Sequence, residues 1–275
     1  MAKSILITGC SSGIGLDAAR GLRARGWHVF ASCRQEKDCE ALRAEGFDAP
    51  RIDYCDPDSI AQGLAETLEA TGGTLDALFN NGAHALNGAV EDLPVEGLRA
   101  IFEANFFGWH DLTRQVIPVM RSQGAGRIVQ CSSALGLTYM HWRGAYASTK
   151  HALEALSDVM RLELRDSGIH VALIEPGPIT TAFRENGLPY FEKYIDWKNS
   201  ALRDKYETTL VPRMYQAGGP DRFELGPQAV TAKLIHALES PRPKPRYYVT
   251  TATYVAGYLR RILSTRATDR ILSRV

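Results

Sequence analysis

Little in this sequence points to a bilayer, a polyanion or a disulfide-held scaffold. No uninterrupted apolar run reaches the roughly 20 residues that span a membrane as a helix. Charge is balanced, 32 Lys and Arg against 31 Asp and Glu for a net of +1. Nothing in that balance draws the whole chain to nucleic acid or to an anionic surface. The five cysteines (Cys10, Cys33, Cys39, Cys55, Cys131) are odd in number, scattered, and lack the paired spacing of metal ligands. They predict no metal centre, and reduced thiols in a cytoplasmic protein. Met1 to Thr8 carries no basic stretch followed by a long apolar one and a cleavage site; it reads as a strand, so no signal peptide is expected. Internal repeats and low-complexity segments are missing too.

What is present is an alternation of two periods. Short β-rich runs stand at Ser4–Thr8, His28–Ser32, Leu75–Phe79, Arg127–Gln130 and His170–Ile174, with a weaker one at Arg51–Ile52 and a late one at Tyr247–Thr250. Helical spacing fills Ile14–Arg25, Ser59–Ala70, Val95–Arg121 and Ala145–Asp166. Strand, helix, strand repeated this way predicts a Rossmann-type α/β fold, a doubly wound seven-stranded parallel sheet with helices on both faces. Continuous apolar runs such as Ile5-Leu6-Ile7 suit strands buried on both sides. A length of 275 residues with 45% hydrophobic content fits a single domain over residues 1–275. Two stretches break the alternation: a long aromatic insertion, Pro176–Gly226, and a basic amphipathic tail, residues 251–275.

Thr8-Gly9-Cys10-Ser11-Ser12-Gly13-Ile14-Gly15 follows the first strand directly and opens the first helix. Glycines there permit a tight turn and close backbone approach, while the helix N-terminus offers unpaired N–H groups to a pyrophosphate. The second strand ends at Ser32-Cys33-Arg34. An acidic residue at that place binds both ribose hydroxyls, whereas a nearby arginine accommodates a 2′-phosphate. With no carboxylate present and a planar guanidinium at Arg34, NADP is expected over NAD; a solvated surface arginine is the alternative. Asp53, after the third run, can bond the adenine amine or simply form a turn.

Tyr146 and Lys150 lie one helical turn apart, so their side chains share a face. A neighbouring ammonium and an oxidised nicotinamide would both favour tyrosinate and lower the tyrosine pKa. The fifth run ends in Cys131-Ser132-Ser133, which puts a hydroxyl at the carboxyl end of the sheet, where open α/β sheets hold ligands. From there Ser133 can bond a substrate oxygen whose charge changes during hydride transfer.

With these residues in place, the chain resembles the short-chain dehydrogenases/reductases from Thr8 to about Thr250. The resemblance rests on Thr-Gly-x-x-x-Gly-Ile-Gly at Thr8–Gly15, Asn105 in Asn-Phe-Phe-Gly, Ser133, Tyr146-x-x-x-Lys150, and Pro-Gly-x-x-x-Thr at Pro176–Thr181. It implies that Tyr146 is the acid/base and that Ser133 holds the carbonyl or hydroxyl. It further implies that Lys150 binds the nicotinamide ribose, and that Asn105 positions a water joining Lys150 to solvent. Gly9, Ser11, Ser12, Gly13, Ile14 and Gly15 would hold the pyrophosphate. Asn81 would lie by the adenosine ribose. Pro176 and Gly177, with the backbone of Ile179 and the Thr181 side chain, would hold the carboxamide. Subunits of such proteins are commonly homodimers or homotetramers. One departure stands out: the family's Asn-Asn-Ala-Gly is here Asn80-Asn81-Gly82-Ala83, an exchange that can alter a local dihedral. Within the family the chain looks like the branch holding 17β-hydroxysteroid and retinol dehydrogenases and bacterial NADP-dependent aldehyde reductases, the bacterial proteins above all.

The insertion carries Phe183, Tyr190, Phe191, Tyr194, Trp197, Tyr206 and Tyr215, a composition that suits a lid over an apolar carbonyl compound or plain packing of a loop onto the body. Phe183, Tyr190, Tyr139 and His141 are candidate substrate contacts. In the tail, Tyr254, Val255, Tyr258, Leu259, Ile262 and Leu263 share a helical face among arginines. That face caps the domain or a subunit contact, or docks on an anionic membrane. The expected chemistry is reversible carbonyl–alcohol interconversion with NADP(H) on a small molecule. The alternatives are an NADP-binding sensor without chemistry, for which a broken Asn-Ser-Tyr-Lys set is expected, and a steroid- or retinoid-type dehydrogenase at a membrane surface. An epimerase or dehydratase usually brings a larger substrate domain than this chain contains.

Overall fold

A computed structural model of the protein describes residues 2–215 and 223–273. Residues 216–222 of the insertion, Arg274 and Val275 of the tail, and Met1 lie outside the described residues. Six strands form one sheet: β1 (Ser4–Ile7), β2 (His28–Ala31), β3 (Ala77–Asn80), β4 (Gly126–Cys131), β5 (Ile169–Glu175) and β6 (Arg246–Tyr248). Their order is β2-β1-β3-β4-β5-β6 and every neighbouring pair is parallel. Ile7 stands beside Ala31 and Phe79, and Asn80 beside Gln130, so the carboxyl ends of the strands finish along one edge. The order reverses at β1 and β3, which is where such a sheet opens a crevice for a ligand.

The sheet has six strands among the described residues, and the seventh expected at Arg51–Ile52 is a correction. Only two isolated bridges form there, Phe30 with Asp48 and Cys33 with Arg51. Pro50 sits between them and brings no N–H, so the ladder is interrupted before a strand can build.

The helices in chain order are α1 (Gly13–Arg23), α2 (Glu36–Ala44), α3 (Pro57–Ala70), α4 (Val95–Phe102), α5 (Gly108–Gln123), α6 (Gly144–Glu163), α7 (Phe183–Tyr194), α8 (Arg203–Lys205), α9 (Val211–Tyr215), α10 (Gln228–Glu239), α11 (Thr251–Ile262) and α12 (Thr265–Leu272). The single long helix expected over Val95–Arg121 is instead α4 and α5 joined by a π-helical turn, Glu103–Phe107, that contains Asn105. Such one-turn bulges gather at functional sites. β1 and β3 are buried along their whole length, which a parallel sheet achieves only with both faces covered. α1 and α10 pack closely enough that a Cβ on Gly21 would lie 2.8 Å from the Thr231 methyl.

Two apolar clusters hold the molecule. The larger one surrounds the sheet, from Ile5, Leu6 and Ile7 to Val171, Ile174 and Leu234; each such side chain contributes about 1.5–3 kcal/mol when fully buried. The second joins the insertion to α4 and α6 through Leu86, Ile101, Ala145, Tyr146, Phe191, Ile195, Tyr206, Leu210 and Met214. Tyr146 therefore belongs to the cluster the insertion builds.

The tail packs by its small residues. Thr253 and Gly257 of α11 are buried, the latter against the Tyr248 ring, while Tyr254, Val255, Tyr258, Leu259 and Ile262 are exposed. No described helix is long and apolar enough to cross a membrane.

Candidate active site

At the nucleotide end, β1 delivers Thr8 and Gly9 to the edge of the sheet and α1 begins at Gly13. Gly9 has φ +69°, a conformation cheap only for glycine, and a Cβ there would lie 2.5 Å from the Gly82 Cα. Ser11 is exposed in the turn. Ser12 is the N-cap of α1, yet its hydroxyl caps no helix N–H, and the first turn carries no acidic residue. Ile14 opens the helix and packs on the main core. Gly15 is buried against the Gly9 carbonyl with no room for a side chain. These features fit a dinucleotide: backbone that a ligand can approach, a helix N-terminus, and no competing negative charge.

Asn81 braces this loop. Its Nδ2 donates to Thr8 O at 3.0 Å, and its own N–H donates to Thr8 Oγ1 at 2.9 Å. Neither Gly82 nor Ala83 has positive φ, so the Gly-Ala exchange imposes no left-handed backbone. A Cβ at Gly82 would lie 3.3 Å from Gly9, close but short of a hard clash. Asp53 spends Oδ1 on the Cys55 N–H at 3.0 Å, forming an Asx turn. Arg34 is exposed at the end of β2, and its Nη1 donates to the Tyr190 hydroxyl at 2.7 Å.

At the other end, Ser133 follows β4 and Tyr146 and Lys150 lie on α6. The Ser133 hydroxyl lies beside the Tyr146 phenol and favours its ionised form, and it accepts from the Leu135 N–H at 3.1 Å. Lys150 is fully buried; its Nζ donates to Cys131 O at 2.8 Å and sits 4.1 Å above the Trp109 ring. Burial pushes the Tyr146 phenol well above its ordinary value, Cys131 adds to the rise, and Ser133 and Arg143 pull it back only in part. Burial acts on the amine as well, bringing Lys150 down to about 8.

Asn105 uses its whole side-chain amide on one residue: Oδ1 accepts from the His84 N–H at 3.1 Å and Nδ2 donates to His84 O at 2.9 Å. Pro176 O accepts from the Ala134 N–H at 2.7 Å, which ties the segment after β5 to the Ser133 turn. Gly177 is pressed against Thr250 and Thr253. Ile179 bridges to Leu225, and the Thr181 methyl meets the position of a Cβ on Gly13 at 2.9 Å. The segment from Pro176 to Thr181 thus closes over the start of α1.

The four candidate substrate residues separate. Phe183 stacks edge-on against Tyr146 at 5.3 Å. Tyr190 stacks on His84 at 3.6 Å and reaches Arg34. Tyr139 bonds Asp269 of α12 at 2.7 Å, and His141 is exposed.

Several residues at the site escape a reading of the sequence. Trp109 lies beneath Lys150 while its Nε1 donates to Gly82 O at 2.8 Å, so one side chain joins the two ends; its place one turn after Asn105 was a usable signal. Tyr54 is buried between Thr8 Oγ1 at 2.7 Å and Asn80 Oδ1 at 2.6 Å, and Asn80 Nδ2 donates onward to Thr113. Trp142 holds φ +67° and packs against Tyr206 at a tilt, 4.6 Å between ring centroids. The Tyr206 hydroxyl accepts from Ala89 N–H at 2.7 Å and donates to Asp92 at 2.8 Å. No local pattern announces the last two, because their partners are distant in sequence.

Comparison with known proteins agrees with this geometry. Residues 3–188 match the family model described as short chain dehydrogenase. The Escherichia coli (strain K12) protein named uncharacterized oxidoreductase YbbO is 43% identical over 272 residues, 99% of this chain and 94% of that one. Retinol dehydrogenase 8 of Homo sapiens is 34% identical over 191 residues, 66% of this chain and 60% of that protein. A solved structure described as actinorhodin polyketide ketoreductase with NADPH superposes with a TM-score of 0.73 at 26% identity, covering 93% of this chain and 97% of that one. With the matched segment spanning β1 to α7 and every motif residue inside it, the chain belongs to the short-chain dehydrogenase family of NAD(P)(H)-binding oxidoreductases.

Proposed function

We propose that this chain is an NADP(H)-dependent oxidoreductase that interconverts an apolar aldehyde or ketone with its alcohol, Tyr146 acting as acid/base. In this reading residues 1–275 form one catalytic domain, 176–226 its substrate lid and 251–275 its tail. The observation that carries it is the Ser133 hydroxyl beside the Tyr146 phenol, with buried Lys150 one turn on.

A substrate carbonyl oxygen placed between those two hydroxyls accepts from both, which polarises it. A bound nicotinamide supplies the hydride to the carbonyl carbon or takes it back. The charge that develops on oxygen is quenched by the Tyr146 proton, and alcohol leaves. A phenol held protonated by burial is suited to donating, and the Lys150 ammonium stabilises the tyrosinate that remains. Arg34 takes the 2′-phosphate, Asp53 the adenine, Ser12 and the Gly9–Gly15 backbone the pyrophosphate, and Ile179 and Thr181 the carboxamide. The Phe183 ring against Tyr146 gives the substrate side an apolar wall and keeps water from the reacting carbon. A relative whose structure is described with NADPH supports the choice of nucleotide.

The test is oxidation of NADPH, followed by its absorbance, against medium-chain aldehydes, retinal and keto-steroids. Tyr146→Phe is expected to lower kcat by about 100-fold or more; turnover that survives it sinks the mechanism. Arg34→Ala is expected to weaken NADP relative to NAD by about tenfold or more. Equal losses would leave the 2′-phosphate without a reader.

The exposed apolar side of α11 favours a second reading, work on the same class of substrate at an anionic membrane surface. Equal recovery in the supernatant with neutral and anionic liposomes would end it. Phe107, with Val159 and Leu162 of α6, leaves further apolar surface exposed, which supports a homodimer or homotetramer; a monomeric mass by sedimentation would refute that.

A further inference from the structure

Tyr190, one of the candidate substrate contacts, also reaches across the end of the sheet. It comes from α7, yet its hydroxyl accepts from Arg34 at the end of β2, and its ring lies flat on His84 just beyond the end of β3, 3.6 Å between centroids and 5° between planes. β1 lies between β2 and β3 in the sheet. A side chain that touches the ends of both neighbours therefore spans the mouth of β1, the crevice above Gly9 where a dinucleotide enters. The contact is well supported from below. His84 is buried, and both of its peptide groups are held by the Asn105 amide.

We propose that Tyr190 is an internal plug of the nucleotide crevice, held by Arg34 and His84 in the cofactor-free protein and displaced when either dinucleotide binds, so that cofactor binding frees α7 from the edge of the sheet. The proposal rests on the reading that the dinucleotide lies across β1 with its adenosine end toward Arg34. A group that competes for the same place lowers the affinity of every ligand that must displace it by one common factor, the fraction of protein in the open state. Tyr190 thus weakens NADP and NAD alike, while any preference between them comes from Arg34 after Tyr190 has left. It also sets an order: α7, which carries Phe183 against Tyr146, is free to move for substrate once the nucleotide is in place.

Equilibrium titration of NADP⁺ and NAD⁺ into the wild type, Tyr190→Ala, Tyr190→Phe and Arg34→Ala separates these statements. Tyr190→Ala is expected to tighten both cofactors by the same factor, about three- to tenfold for one charge-assisted hydrogen bond and a stacked ring. Tyr190→Phe keeps the ring and is expected to give a smaller parallel gain. Hydrogen exchange over residues 183–194 of the wild type is expected to speed up on adding NADP⁺, the reverse of ordinary protection by a ligand. Unchanged or weaker binding of both cofactors in Tyr190→Ala overturns the plug. So does a loss confined to NADP⁺, which would make Tyr190 a second phosphate ligand, or slower exchange in α7. Failure of Arg34→Ala to change the ratio of the two affinities counts against the NADP assignment alone, because the parallel gain in Tyr190→Ala does not depend on it.

Discussion

The two ends of the cleft are built by different means. Around Gly9, Gly15 and Gly82 the chain packs backbone on backbone, and the side chains that help (Asn81, Tyr54, Thr8) hold main-chain groups or one another in a closed hydrogen-bonded set. Across the cleft, the segment from α7 to α9 is fastened by large side chains, Phe191 and Tyr206 above all, sunk into a cluster that includes Tyr146. Backbone packing leaves a glycine pattern at fixed spacing. Side-chain fastening leaves only a list of aromatics, since each pairs with something far off in sequence. The difference also divides the work: the first end positions by geometry that cannot relax, the second by contacts that can be made and broken.

The largest effect is expected from the insertion's anchor. Phe191 is fully buried, and Phe191→Ala should cost about 3–5 kcal/mol by thermal unfolding. Because Tyr146 shares that cluster, turnover should fall along with stability, whereas the glycine-loop end should still bind nucleotide. A variant that loses nucleotide affinity as much as turnover would show the two ends to be one unit. Next in size is Gly9→Ala, where a side chain would meet Gly82 at 2.5 Å with φ at +69°. Left-handed backbone costs a non-glycine residue roughly 1–2 kcal/mol before any clash. Nucleotide affinity should drop more than tenfold while the insertion's cluster is untouched.

Smaller, and confined to the second end, is Tyr206→Phe. It removes the acceptor for Ala89 N–H and the donor to Asp92 while keeping the ring, so a loss of about 1–3 kcal/mol is expected from the groups left unpaired. The proton-moving set gives a pH test. Lys150 is brought down to about 8 by burial, while Tyr146 is pushed up and stays protonated. Below about 8 the ammonium is intact, and above it the partner of the tyrosinate is lost. kcat/KM for carbonyl reduction should therefore be flat at neutral pH and fall as pH rises through about 8. Lys150→Arg, charged throughout, should move that fall to higher pH; a profile that rises there instead would mean that deprotonated Tyr146 limits reduction.

The alternation of strands and helices was legible because it depends on local period, and fixed spacing was enough to single out Ser133, Tyr146 and Lys150, which the fold brings together. The seventh strand was misread because Arg51–Ile52 has strand-like residues but Pro50 beside them, and one missing N–H outweighs a short propensity. The helix over Val95–Arg121 was read as continuous because its apolar period survives a single π turn; the extra residue shows only in the hydrogen bonds around Asn105. The burial of Tyr146 and Lys150, which raises the phenol and lowers the amine, was not legible because spacing reports a neighbour and not its surroundings. The reach of Tyr190 to Arg34 was not legible because its position after Phe183 says nothing about it.

His84 lies where the two ends meet, under Tyr190 and over Asn105, and it gives the finest test of whether they are joined. Burial brings its imidazole down to about 4, with Arg34 acting the same way and the bond to Ala85 O opposing. The unfolded chain takes up this proton near the ordinary value of about 6.5, so between there and about 4 the unfolded state holds more protons than the native one. Stability contributed by neutral His84 is then complete above about 6.5 and drains away as pH falls, by up to about 1.4 kcal/mol per pH unit. His84→Phe keeps an aromatic face for Tyr190 and cannot titrate. It should flatten the acid limb of the denaturation midpoint by that one proton and leave the midpoint above pH 7 nearly unchanged. An acid limb as steep as that of the wild type would mean that the ring already meets solvent, and that Tyr190 does not seal the crevice.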